Sequence, residues 1–255
     1  MSKERQVRIQ EVLEWVTRRW WFFLAVFLVQ LVPPYTSQRY NPVETGAVIQ
    51  LILGQALVYS WESWYPLFKI IPLILIIGII LYGNMSSRIF SLYAGITYLL
   101  FAFLQSIALT EEYGWGVIIS NLLMFLFVAL FWFWEAMAGE NDFSRPGERS
   151  LGNYWALLPA FLAFWGPINM KTMVPDFNPA YILTSGSGLA FCMMTPVYLA
   201  VLLYFYPRVN IPLMQVTALI GLIIGIYNAL VNFIFVPDVL WWNGIVHLPL
   251  LFISL

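Results

Sequence analysis

The sequence predicts an all-α integral membrane protein, a polytopic helical bundle of about eight to nine transmembrane helices. Three observations carry this. The chain is 61% hydrophobic and 10% charged, whereas soluble domains have about 45–50% apolar and about 25% charged residues. Its mean hydropathy is +0.80, and apolar runs recur from residue 20 to the last residue. One globular core has no use for so much apolar surface, but a bilayer accepts it facing outward. The 12 tryptophans suit rings placed at headgroup level.

Residues 1–19 form the first unit, an amphipathic interfacial helix. Ile9, Val12, Leu13, Val16 and Trp20 recur at helical spacing, and Glu4–Arg8 and Glu14–Arg18 stand four apart on the other face. A cleaved signal peptide is not expected, because the run 20–32 ends in Pro33-Pro34 with no small-x-small site.

The runs expected to span follow: 20–32, 45–61, 67–82, 89–109, 117–136, 154–168, 181–206, 212–236, and 241 to the end. A core of about 30 Å needs about 20 helical residues, so the shorter runs must tilt or cross incompletely. Trp61, Trp64, Trp115, Trp132, Trp134, Trp241 and Trp242 fall at run ends, as an aromatic belt requires. The stretch 244–255 stays apolar to its last residue with no flanking charge, and we expect a truncated C-terminus.

An internal repeat is expected from four collinear matches. Trp20-Trp21 with a run to Pro33 resembles Tyr154-Trp155 with a run to Pro167. Tyr40-Asn41-Pro42 before Thr45-Gly46 resembles Phe177-Asn178-Pro179 before Thr184-Ser185-Gly186. YPLFKIIPL from Tyr65 resembles YPRVNIPL from Tyr206, and YAGITYLL from Tyr93 resembles WNGIVHLP from Trp242. This divides the chain into a first membrane repeat (20–136), a connector loop (137–153) and an incomplete second repeat (154–255). The loop 140–149 reads as a solvated connector. An odd number of spans per half makes the copies inverted.

Lys3, Arg5, Arg8, Arg18 and Arg19 precede the first span, so a cytoplasmic N-terminus in the plasma (cell) membrane is expected. If 45–61 were re-entrant, Arg88, Arg145, Arg149 and Arg208 would all face the cytoplasm; the repeat instead favours full crossing.

Composition excludes much chemistry. The single Cys192 allows no intrachain disulfide, and the single His247 cannot supply paired haem ligands or a zinc cluster. Lys3, Lys69 and Lys171 are placed outside the depth of the spans, which disfavours a retinal Schiff base. No D-x-x-x-D pair or Walker-type loop is present, and a net charge of −1 gives no purchase on nucleic acid. No cofactor and no metal are expected, and a non-enzymatic role is favoured.

Polar residues inside spans need a neighbour or a task. They are Gln50, Gln55, Gln105, Asn121, Glu135, Thr195, Gln215, Asn228, Asn232, Asn243 and His247. Interhelical hydrogen bonding is the ordinary explanation for each. The candidate substrate-binding set is Gln55, Gln105, Thr195, Asn228 and Asn232. Gly54-Gln55 and Thr195-Pro196 fall at corresponding positions of the two halves, where interrupted helices build transporter sites. Ser185-Gly186-Ser187-Gly188 reads as a serine N-cap after a flexible turn, or as backbone N–H groups offered to an anion. A Ser187/His247 hydrolase is the weakest reading, since Ser187 lacks a full G-x-S-x-G elbow.

The function expected is therefore transport: a secondary transporter or permease for a small, largely uncharged solute, its site at mid-membrane between two repeats. The alternative is a non-catalytic membrane subunit or scaffold of a larger complex. The partners expected are the lipid bilayer and a small-molecule solute.

Overall fold

The computed structural model describes residues 2–144 and 154–255. The protein is 74% helix. Among the described residues, four helices are long and apolar enough to cross a membrane: Leu57–Tyr82, Asn84–Gln105, Ile119–Ala138 and Ile211–Phe235. A fifth candidate is a broken pair, Tyr181–Leu189 and Phe191–Phe205, bent by 98°. The expected runs 20–32, 45–61 and 154–168 contribute only short helices, and 241 to the end lies in a helix with Trp, Asn and His in its first half.

The helices in chain order are α1 (Lys3–Thr17), α2 (Trp20–Val29), α3 (Thr45–Gly54), α4 (Tyr65–Tyr82), α5 (Asn84–Leu100), α6 (Ile119–Ala138), α7 (Leu157–Trp165), α8 (Tyr181–Thr184), α9 (Phe191–Phe205), α10 (Ile211–Leu230) and α11 (Pro237–Ser254). A 3-10 stretch, Leu57–Trp64, leads into α4, and π-helical turns, Phe101–Gln105 and Val231–Phe235, extend α5 and α10. Residues 107–109, read as the end of a span, instead form a hairpin: β2 (Ile107–Thr110) pairs with β3 (Gly114–Val117), and β1 (Tyr35–Thr36) pairs with β3 on its other side. The polar turn Glu111-Glu112-Tyr113-Gly114 explains the hairpin, because Gly114 supplies the left-handed φ of 65° that a tight reversal needs.

The bundle thus has two distinct ends. At the sheet end, α3 packs Val48 and Ile52 onto Ala108, Tyr113 and Ile118, and Ala56 bridges Ala108. At the other end lies α1. Its inward face is Gln10, Leu13, Val16 and Thr17, while Val12 of the expected apolar face is exposed. The expected Glu4–Arg8 and Glu14–Arg18 pairs stay open: among the described residues the ion pair formed is Arg208–Asp142, at 3.2 Å.

Both ends of the 45–61 run lie at the sheet. Tyr35 pairs with Val117 before it, and Ala56 bridges Ala108 within it. The 3-10 stretch Leu57–Trp64, which begins within it, packs on β2. Within this run α3 is 10 residues long, too short to cross by itself, and it packs on β2. In chain direction α2 runs from the α1 end to the sheet end, α4 back, α5 forward and α6 back. α7 runs towards the sheet end, α9 back along it, α10 forward and α11 back beside α10, with Gly225 against Leu251.

The core follows from α9, nearly all of whose side chains are buried. Its neighbours α5 and α6 supply Phe90, Tyr98, Phe101, Phe125 and Trp132, and Phe191 stacks on Phe125 at 4.2 Å between ring centroids. Side chains that point away are apolar too: Ile70, Ile74, Ile77, Ile80 and Leu81 of α4 are exposed in one stripe, the surface expected to meet lipid.

The α1 end is closed by polar bonds. Glu135 accepts from the Asn141 backbone (2.8 Å) and from Asn210 Nδ2 (2.8 Å). Gln10 of α1 donates to Asn210 (3.2 Å) and accepts from Trp134 Nε1 (2.9 Å). The start of the expected solvated connector is therefore packed, with Asn141 and Phe143 buried; residues 145–153, with Arg145 and Arg149, lie outside the described residues. Asp142 accepts from Ser144 N (2.9 Å), Asn84 Nδ2 (2.8 Å) and Arg208 (3.2 Å). The Ser144 backbone and hydroxyl, then Asn84 and the Arg208 charge, hold its carboxyl down at about 2. A depressed carboxylate contributes stability above its unfolded value of about 3.9 and loses it as pH falls towards 2. The gap in melting temperature between wild type and Asp142→Asn in detergent should be full above pH 5 and close between pH 4 and 2. Because both partners are half-exposed, the gap should be a few degrees at most; a gap that does not change with pH refutes this account of Asp142.

Candidate functional site

The site begins where α7 ends. The last carbonyls of a helix have no intrahelical partner and carry the negative end of its dipole. In α7 these include Phe164 O and Trp165 O, because Gly166 takes a left-handed φ of 63° and turns the chain away. In a bilayer no water is there to satisfy them. Three donors from two other segments do so. Ser185 Oγ donates to Trp165 O (3.0 Å), Ser187 Oγ donates to Phe164 O, and Lys69 Nζ of α4 donates to both Phe164 O and Ser187 Oγ. Ser185 Oγ and Ser187 Oγ are 3.1 Å apart. The ammonium also sits 4.1 Å from the centroid of the Phe164 ring, a cation–π contact.

Lys69 is 0% exposed inside the candidate span Leu57–Tyr82. The expectation that the lysines stand outside the depth of the spans is overturned here. Placing a lysine at a helix centre costs about 2.5–3.5 kcal/mol on insertion, and hydrogen bonds to a charged group return about 1.5–3 kcal/mol each. Two such bonds and the helix-end dipole are enough to hold it. The nearest carboxylate along the chain, Glu62, is exposed and seven positions away.

The Ser-Gly-Ser-Gly motif takes its glycines from this contact. A Cβ on Gly188 would lie 2.6 Å from Phe68 O, and one on Gly186 2.9 Å from the Tyr65 ring. α4 therefore lies directly on the backbone of the 3-10 turn Gly186–Leu189. The serine hydroxyls make no N-cap bond; they are spent on α7. After this turn the chain bends at Ala190 (φ −114°, ψ 121°) and enters α9. The break lies six residues ahead of Pro196, which is buried within a continuous α9.

Three of the five candidate site residues, Gln105, Asn228 and Thr195, gather around the first turns of α9, and Asn232 is linked to them through Asn228. Gln105, closing the π-helical turn after α5, accepts from Phe191 N (2.9 Å) and so caps α9. Asn228 Nδ2 reaches Cys192 Sγ (3.4 Å) and Ile224 O (3.0 Å). Asn232 donates to Asn228 O (2.7 Å) and accepts from Asn243 of α11 (2.8 Å). Thr195 is fully buried and shares a hydrogen bond of 2.9 Å with Tyr98 Oη. One turn on, Tyr198 Oη and Thr97 Oγ1 are 2.7 Å apart. Gln55 is not among them: it is exposed at the end of α3.

Ser187 and His247 are not joined. Ser187 is bonded to Lys69, Phe164 O and Ser185, and His247 Nδ1 is 2.6 Å from Asn243 O within its own helix. Among the described residues no group of three His, Cys, Asp or Glu is placed to hold a metal. The sequence reading missed Lys69, Tyr98 and Tyr198. A lysine in YPLFKIIPL, flanked on both sides by apolar residues, was the available signal for the first; the tyrosines carried none.

Gly188→Ala should lower stability by about 1–3 kcal/mol, because the methyl must push backbone against backbone. Gly46→Ala in α3, where a methyl meets nothing within 4 Å, should be neutral or stabilising by up to about 1 kcal/mol. Unfolding in detergent checks both, and equal effects would contradict the close approach.

Compared with protein-family models, curated proteins and solved structures, the chain matches none of them.

Proposed function

We propose that the protein is a secondary transporter or permease for a small, largely uncharged solute. The observation that carries this reading is the gathering of Lys69, Ser187, Gln105, Thr195 and Asn228 around a 98° break between two helical pieces. Intramembrane ionisable residues and interrupted helices with exposed backbone groups are where transporters build substrate and coupling-ion sites. The inferred site comprises Gln105, Thr195, Asn228 and Asn232, with Lys69 and Ser187 at its edge; Gln55 belongs to the rim.

The reading extends to topology. With the short helices α2 and α7 and the 18-residue α11 also in the bilayer, the spans number eight, within the range read from the sequence. The halves then repeat as α2-α4-α5-α6 and α7-α9-α10-α11, with one segment in each half that stays at the sheet end. This pairing follows chain direction rather than the two Tyr-Pro motifs, and it makes the copies parallel instead of inverted. The N-terminus is inferred to be cytoplasmic, in the plasma membrane. Supporting this, Arg88 lies against Gly139 and Arg208 against Asp142, at the same end as α1, which is followed by Arg18 and Arg19.

A non-catalytic subunit or scaffold is the second reading, and one observation favours it. The centre of the bundle is filled by Tyr98, Trp132, Tyr198, Phe90 and Phe191, each at most 1% exposed. Stopped-flow light scattering on reconstituted vesicles separates the two, with glycerol, urea and erythritol as probes beside radiolabelled alanine uptake. We expect passage of at least one probe above protein-free vesicles. Thr195→Val and Asn228→Ala should slow it about 10-fold, the worth of one lost hydrogen bond, and Gln55→Ala should leave it unchanged. Vesicles as tight as protein-free ones to every probe refute transport and leave the scaffold.

A further inference from the structure

Lys69 does in this structure what a metal cation does at the end of a helix. Its ammonium touches Phe164 O and Ser187 Oγ, and the shell continues without a gap through Ser185 Oγ, 3.1 Å from Ser187 Oγ, to Trp165 O, 3.0 Å from Ser185 Oγ. All four are neutral oxygens, two of them carbonyls at the negative end of α7. Neutral carbonyl and hydroxyl oxygens at a helix C-terminus are the donor set for a hard monovalent cation, and carboxylates are not needed for it. Among the described residues no anion completes the shell. The ionisable groups on the elements packed around Lys69 point elsewhere: Tyr93 of α5 towards Phe68 O (3.5 Å), Tyr65 to Val58 O (3.2 Å) and Tyr181 to Asp176 (2.7 Å). Tyr59 and Glu62 are exposed in the stretch before α4, and Arg88 of α5 lies against Gly139 at the far end of the bundle.

We propose that Phe164 O, Trp165 O, Ser185 Oγ and Ser187 Oγ form a monovalent-cation site whose resident ion is the side-chain ammonium of Lys69. The lysine is a tethered cation, and it ties together α4, the end of α7 and the broken turn before α9. Removing the side chain at Cβ leaves the oxygens facing an empty volume of ammonium size. Free Na⁺, Li⁺ or methylammonium should then fill it.

The test is the melting temperature of purified full-length protein in detergent, measured in NaCl, LiCl, methylammonium chloride and choline chloride at one ionic strength. Wild type should melt alike in all four. Lys69→Ala should melt lower in choline, and at least one small cation at saturating concentration should raise it by about 5 °C or more. The double variant Lys69→Ala/Ser187→Ala should lose that rise. Lys69→Gln, whose side chain still occupies most of the volume, should melt alike in all four salts. If Lys69→Ala melts alike in every salt, the proposal is overturned. It is equally overturned if Lys69→Ala cannot be recovered folded in any salt, whether or not Lys69→Gln folds, since no free cation then replaces the ammonium. Stability needs no transported solute, so the two readings fail separately. A cation-responsive Lys69→Ala in a protein that moves no probe upholds the site and sinks transport; the reverse result sinks the site alone.

Discussion

The structure depends on how the open carbonyls at the end of α7 are satisfied by donors from other segments. A buried carbonyl without a donor costs several kcal/mol, and α7 presents two of them to its neighbours. Their donors arrive from α4 and from the turn before α9, so one requirement of backbone chemistry joins three segments far apart in sequence. The consequences are local and specific. α4 must lie against the turn, the turn must carry glycine at 186 and 188, and the chain must bend before α9 can start. A fully buried lysine is tolerated because it answers this need and not in spite of it.

From that joint the polar chemistry continues along α9. Gln105 caps its first turn, Asn228 meets Cys192, and Thr195 and Tyr198 share hydrogen bonds with Tyr98 and Thr97 of α5. The remaining surface of α9 is apolar and aromatic, packed by edge-to-face contacts such as Phe90–Tyr198 at 5.8 Å between centroids. Polar bonds in this bundle therefore set register and position, while ring packing fills volume. The ends are built differently. The α1 end is held by Glu135, Asn210, Asn141 and Gln10, and the other is covered by a three-stranded sheet with α3 laid across it.

The membrane class was legible in composition alone, since no soluble packing accommodates 61% hydrophobic residues with 10% charge. The positions of the long helices were legible too: 67–82, 89–109, 117–136 and 212–236 each fall largely within a helix long enough to cross. Thr195, Gln105 and the asparagine pair were legible as costly polar groups within apolar runs. The bonds they make were not, because a side chain's partner lies on another helix and periodicity within one helix carries no information about it. Lys69 was misplaced because Tyr65-Pro66 reads as a turn that opens the span, whereas the helical stretch begins at Leu57. Proline at the first turn of a helix removes a donor that has no partner there in any case, so it starts a helix as readily as it ends one.

By itself the sequence determined the solvent this chain folds in, the approximate place of its long helices and which polar groups needed an explanation. These follow from hydrophobicity, which is a property of each residue and its near neighbours. Only the tertiary structure decided that 45–61 holds a short helix laid on the sheet, that the break before α9 falls at Ala190 and that a lysine, two serines and two carbonyls share one centre. Those depend on which surfaces meet, and in lipid, where one apolar face is as well solvated as another, helix pairing is settled by close backbone approach and by unmatched polar groups.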